Sequence, residues 1–266
     1  MIQLIRVTSI QGPNADFICQ GISQYLSARL GIKTEFINDI PWPEREALLD
    51  AGDIQVGWIC GLPYVWKADQ AQPTIELAAA PVMRDARYQS RPIYFSDVVV
   101  HRDSRYTTFA DLRGASWAYN EPHSQSGYNV TRYHLARLGE THSYFGRVVE
   151  AGSHLRALEM VLERHVDASA IDSTVLELEL AARPALQENF RIIDVLGPSP
   201  IPPWVVTKRL PLDSRDAIRS TLWGMHHDAE GRAVLNAGQI DHLARVEDRD
   251  YDAIRNMARQ AARVTW

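Results

Sequence analysis

The chain has 266 residues, 45% of them apolar and 23% charged, which is ordinary for a globular protein and enough to bury a large core in one domain or two. Its formal net charge of −5, with no basic run, excludes a general nucleic-acid binder but leaves room for a small anionic ligand, which needs only local donors. Cys19 and Cys60 supply neither a disulfide framework nor a metal spacing and read as buried thiols, and no run approaches the ~20 apolar residues of a membrane span.

Met1-Ile-Gln-Leu-Ile-Arg-Val-Thr8 reads as a first strand and not as a secretory signal. The compartment therefore stays open: cytoplasmic if Met1 is the native start, periplasmic or extracellular if a leader has been removed. A turn at Ser9 to Pro13 precedes an amphipathic helix carrying Phe17, Ile18, Ile22, Tyr25, Leu26 and Leu30, with Gly31 as its stop. Lys33 to Ile37 is a second strand, Glu44 to Leu49 a short helix and Asp53 to Cys60 a third strand. This alternation predicts an α/β fold with mostly parallel sheets and helices on both faces. Gly61-Leu-Pro-Tyr64 reads as a turn closing the third strand, where open sheets of this kind gather ligands.

Tyr94 to Val100 is a strong strand, followed by a short helix at Thr108 to Leu112. A strand at Ala115 to Tyr119 enters the polar loop Glu121-Pro-His-Ser-Gln-Ser-Gly127, and a helix with Tyr128, Leu135 and Leu138 leaves it. Strands at Gly146 to Glu150 and Val166 to Asp172 flank a helix around Leu155 to Leu162, and a leucine-rich helix follows from Val175 to about Ala182. The proline run Gly197 to Pro203 interrupts the alternation, Trp204 to Thr207 resumes it as a strand, and the remainder reads as mostly helical. If the chain crosses between lobes near Asp97 and at the proline run, residues 1–97 plus 199–266 form one lobe and 98–198 an inserted second. Two connections are what a hinge-closing binding protein needs, with a ligand cleft between the lobes.

The Ser-x-Ser-Gly loop entering a helix carries the chemistry. It collects two hydroxyls and several unpaired N–H groups at the positive end of a macrodipole, a seat for an oxyanion. Helix capping by Ser124 is the competing reading. Asp172 has two readings of equal weight, a cap for the next helix or a ligand contact. His226-His227 points only weakly to a metal, because adjacent residues face different sides of a helix.

With these segments in order, the chain resembles the substrate-binding proteins of the phosphate/phosphite/phosphonate ABC-transporter family, which have the type II periplasmic-binding-protein fold. The resemblance rests on Val56-Gly-Trp58 and Tyr64, Tyr94-Phe-Ser96, Asp111-Leu-Arg-Gly114, Ser124-Gln-Ser-Gly127, Gly152-Ser-His154 with Ala157-Leu158, and Val166-Asp-Ala168. It implies that Ser124, Gln125, Ser126 and the Gly127 N–H form the anion seat, with Tyr94 and His154 as further donors. It also implies an ABC permease as partner and no metal or cofactor. The departures lie at the other end of the ligand. Pro202 and Thr174 stand where aminoalkylphosphonate binders place carboxylates, leaving Asp172 nearby; Ile40 replaces a tyrosine, with Trp42 close by; and Gln125 replaces the usual threonine. Trp42, Trp58, Tyr64 and Trp204 are candidates for an aromatic wall around a larger organic group. The expectation is capture of a small anion, most readily a phosphonate, for uptake. The alternative is a cytoplasmic enzyme or sensor that uses the same cleft for a small carboxylate or phosphate compound, for which His154 facing Ser124 or Ser126 would be the required base–nucleophile pair.

Overall fold

The computed structural model of the protein describes residues 3–266. β1 (Leu4–Ser9) leads into α1 (Asp16–Leu30), which Gly31 ends in the left-handed region at φ +65°, and then into β2 (Lys33–Ile37). α2 (Trp42–Ala51), β3 (Val56–Trp58), α3 (Gly61–Ala68) and β4 (Ile75–Met83) follow. Next come β5 (Ile93–His101), β6 (Ser116–Tyr119), α4 (Val130–Arg137), β7 (Arg147–Glu150), α5 (His154–Leu162), β8 (Ala168–Asp172) and α6 (Ser173–Ala182). β9 (Phe190–Pro200) and β10 (Trp204–Thr207) are consecutive strands, and α7 (Leu212–Gly224), α8 (Ala229–Ala237), β11 (Ile240–Ala244) and α9 (Asp252–Ala261) come last.

Two compact units result, one of Met1–Ile93 with Pro200–Tyr251, the other of Tyr94–Ser199 with Asp252–Trp266. The first is built on a six-stranded sheet in the order β11-β4-β10-β3-β1-β2. β1 pairs in parallel with β2 and β3, which helices connect, whereas β10 runs antiparallel to β3 and β4. Ile5, Val7, Val56 and Val205 of the sheet and Ile18, Ile22 and Leu26 of α1 are fully buried or nearly so. Phe17, placed on that buried side by its sequence, is instead 51% exposed.

The second unit has the sheet β7-β6-β8-β5-β9. Its strands are apolar on both faces, and their period of two sorts side chains into two cores. Val98, Val100 and Trp117 join Leu135, Phe145 and Met257 in one, while Val99, Ala118 and Ile171 join Leu158, Val161 and Leu176 in the other. Trp117 stacks on Phe145 with ring centroids 4.6 Å apart.

Five segments differ from what their local pattern predicts. The tail from Asp252 packs in the second unit, although 199–266 was expected to stay together, because Met257 and Val264 complete that unit's core and Arg132 donates to the Val264 carbonyl at 2.7 Å. Gly61–Tyr64 is the first turn of α3 and not a loop: Pro63 sits where its missing N–H goes unused, and Leu62 and Val65 are buried. The Ala78-Ala-Ala80 run of β4 carries little strand propensity, yet β4 lies inside the sheet with partners on both sides. β9 runs through Pro198 and Pro200, which an edge strand tolerates because one side of its ladder is unused. β11, in a stretch whose pattern predicts helix, forms one edge of the first unit's sheet and buries Ile240 and Leu243.

Candidate functional site

The carboxyl end of β6 opens into the polar loop, and the helix that follows begins with a widened turn. Asn129 N donates to the Ser124 carbonyl five residues back at 3.0 Å, making a π turn over Gln125–Asn129 that continues into α4. Such turns recur at functional sites. Ser124 caps this start, its Oγ accepting from Gly127 N at 3.0 Å. Ser124 Oγ also lies 3.3 Å from Ser126 Oγ, and Ser126 Oγ lies 2.7 Å from His154 Nε2. His154 is the first residue of α5, whose own cap is Ser153 Oγ, accepting from Arg156 N at 3.1 Å. Two strand-to-helix junctions thus bring two hydroxyls and an imidazole into one corner of the second unit.

Burial sets the charge of this corner. The His154 imidazole is pushed down to about 4 because desolvation disfavours its cation, with the Ala170 backbone opposing in part. It is therefore neutral at pH 7. Gly127 is needed here for space: a Cβ at this position would overlap the Asn120 side-chain oxygen and come 3.1 Å from His154 Cε1.

Gln125 departs from its expected role. Its side chain is fully buried and turned inward, Nε2 donating to Ser199 Oγ and Met257 Sδ, both at 3.1 Å, while Oε1 accepts from Asn129 Nδ2 at 2.7 Å. The longer amide reaches the end of β9 and α9, so it ties the loop to the unit's frame. Asp172 caps α6, its Oδ1 accepting from Thr174 N at 2.8 Å and Thr174 Oγ1 at 2.7 Å. Burial raises its carboxyl to about 6 despite those bonds. Tyr94 lies buried in β5 of the same unit, where the Phe95 N–H donates to Ser173 Oγ at 3.1 Å.

The aromatic candidates belong to the first unit. Trp58 and Trp204 stack with centroids 5.7 Å apart and are almost completely buried, and Trp58 Nε1 donates to the Pro202 carbonyl at 2.8 Å. Tyr64 is buried too, its hydroxyl donating to Asp248 at 2.8 Å and its ring meeting the edge of Tyr251. Trp42, half-buried at the start of α2, is the more accessible member. Asn120, which the sequence reading passed over, stands beside Gly127 directly after β6. Its position directly after a strand is common for an asparagine and does not single it out in the sequence.

Residues 16–251 match the family described as ABC transporter, phosphonate, periplasmic substrate-binding protein. The chain belongs to this family. Solved structures agree on the fold. A binding-protein component of an ABC phosphonate transporter from Pseudomonas aeruginosa superposes with a TM-score of 0.85 at 18% identity, over 98% of this chain and 87% of that one. PhnD1 of Prochlorococcus marinus, in complex with methylphosphonate, gives 0.83 at 19% identity over 98% and 99%. A Xanthomonas citri protein bound to ATP gives 0.75 at 15% identity over 98% of each chain. The phosphonate-binding family is one of transport binding proteins, so solute binding and not turnover is its class of activity. Among the described residues no helix is long and apolar enough to cross a membrane.

Proposed function

We propose that this phosphonate-family protein captures a small oxyanion, most readily a phosphonate, at the Ser124–Gly127 and His154 corner and presents it to an ABC permease. The observation that carries the reading is the convergence of Ser124 Oγ, Ser126 Oγ and His154 Nε2 at the start of a continuous helix. A hydroxyl that accepts from a backbone N–H still has a proton to give. Ser124 is in that state through Gly127, so its own proton is available to an anion. Neutral donors at a helix start hold an anion without a lysine or arginine. Ser124 Oγ, Ser126 Oγ and His154 Nε2 already lie within hydrogen-bond reach of one another, so an anion meets donors gathered at one point.

The Ser126–His154 pair also has the geometry of a nucleophile and its base. Its chemistry argues against that use, because a general base works best with a pKa near the operating pH and burial holds His154 at about 4. The test is a thermal-shift screen with phosphate, phosphite, methylphosphonate and larger phosphonates. Saturation at 100 times the Kd adds about 2.7 kcal/mol, a readily measured rise in Tm. Ser126→Ala is expected to reduce the shift at least tenfold in ligand concentration. A screen in which none of these anions stabilises the protein refutes the reading, as does turnover of a bound ester that is lost in Ser126→Ala.

A further inference from the structure

We infer that Asn120 is a specificity-determining acceptor of this seat, selecting oxyanions that carry a proton over those that carry none; the inference rests on the oxyanion reading above. Asn120 follows β6 directly and is only 8% exposed. Its Oδ1 is buried with no hydrogen-bond partner. That oxygen faces the Gly127 Cα so closely that a methyl group there would overlap it, and His154 Cε1 borders the same point. The orphaned oxygen therefore sits among the groups of the seat and not in the apolar core.

A buried acceptor left unpaired is unfavourable, and native structures rarely retain one without a use for it. The hydroxyls and backbone amides of this corner are of a different kind. Ser124 and Ser126 bear hydroxyls that donate as well as accept, and the helix start offers N–H groups. An amide oxygen accepts only. A fully deprotonated tetrahedral oxyanion would bring an oxygen without hydrogen against Oδ1, so two desolvated acceptors would face each other. Phosphate and phosphonates keep a proton on one oxygen near neutrality; sulfate, of the same shape, does not. The protonated oxygen would donate to Asn120 while the remaining oxygens accept from the hydroxyls and amides. The ligand keeps its proton throughout, and no bond is broken.

Sites built to pair a buried hydroxyl reject analogues that lack it by large factors. Isothermal titration of the full chain with inorganic phosphate, methylphosphonate and sulfate reads this directly. The expected result at about pH 6, where both phosphorus anions carry a proton, is at least about a 100-fold preference for the better of them over sulfate; towards about pH 8 the preference should shrink for methylphosphonate, which loses its one proton, and hold for phosphate, which still carries one. Asn120→Leu, which keeps the shape and removes the acceptor, should bring the ratio within about tenfold, chiefly by weakening the phosphorus anion. Asn120→Asp, which keeps an acceptor at that point and guards against a folding defect in the leucine variant, should preserve the preference. Equal affinities in the wild type overturn the assignment while the oxyanion reading stands. So does an Asn120→Leu variant that weakens sulfate and phosphate alike, since the amide would then be acting as a donor. If the wild type binds none of the three anions, the oxyanion reading falls and the assignment falls with it.

Discussion

His154 and Asp172 place two opposed pH dependences in the second unit, and single substitutions should separate them. Burial depresses the histidine from its ordinary 6.5 to about 4, a difference of about 3 kcal/mol between the protonation states. A depressed imidazole keeps its full contribution to stability above about 6.5 and loses it as the pH falls towards 4, because the unfolded chain takes up the proton first. Asp172 behaves in the opposite sense. Its carboxyl is raised from 3.8 to about 6, again a difference of about 3 kcal/mol, so the folded chain takes up the proton first and stability falls as the pH rises from about 4 to 6. The two slopes nearly cancel in the wild type. Asp172→Asn retains a capping oxygen and removes the titration, so relative to wild type the variant should gain about 3 kcal/mol between pH 4 and pH 6.5. His154→Gln should lose a similar amount over the same interval. Urea unfolding followed by circular dichroism across that range measures both, and differences from wild type remove the groups common to all three proteins. Parallel pH profiles for wild type and both variants would refute the burial argument for this site.

The remaining predictions follow from packing. Gly127→Ala should cost about 1–3 kcal/mol and abolish anion binding, since the added methyl displaces Asn120 and crowds His154; titration with phosphate and a thermal melt check the two effects. Gln125→Leu strands Asn129 and Ser199 and should destabilise by about 1–3 kcal/mol, with a weaker Kd for the anion, while Gln125→Glu, which keeps the acceptor for Asn129, should lose less. Trp117→Ala removes the ring packed between Phe109 and Phe145 and should cost about 3–5 kcal/mol in denaturant unfolding. Arg132→Ala frees the Val264 carbonyl from its two guanidinium donors, and faster amide exchange near the end of the tail should report it.

Much of this protein is written in local patterns. β2 occupies the span its alternation marks out, Gly31 ends α1, and the Ser-x-Ser-Gly stretch starts a helix with Ser124 as cap, because these features depend on side chains close together in the chain. The two junctions that meet at Ser126 and His154 were legible for the same reason, each being a strand end, a short polar turn and a capped helix. What local pattern cannot carry is which surface a segment finds. The tail from Asp252 is an amphipathic helix wherever it packs, and only the vacancy beside Trp117 and Leu135 makes it part of the second unit. Gln125 reads as a ligand residue from its place in the Ser-x-Ser-Gly stretch, yet the partners that turn it inward lie 74 and 132 residues away. Asn120 was silent in the sequence for the complementary reason: an asparagine after a strand is common, and its orphaned oxygen becomes visible only when Gly127 and His154 are folded against it. Sequence by itself therefore determined the family and the elements whose signals are local, among them β1, α1, β2 and the capped helix start after Ser124, all encoded in neighbouring residues. The tertiary structure alone decided which side chains of the Ser124–Gly127 stretch turn into the core and which meet His154, because that depends on packing between residues far apart along the chain.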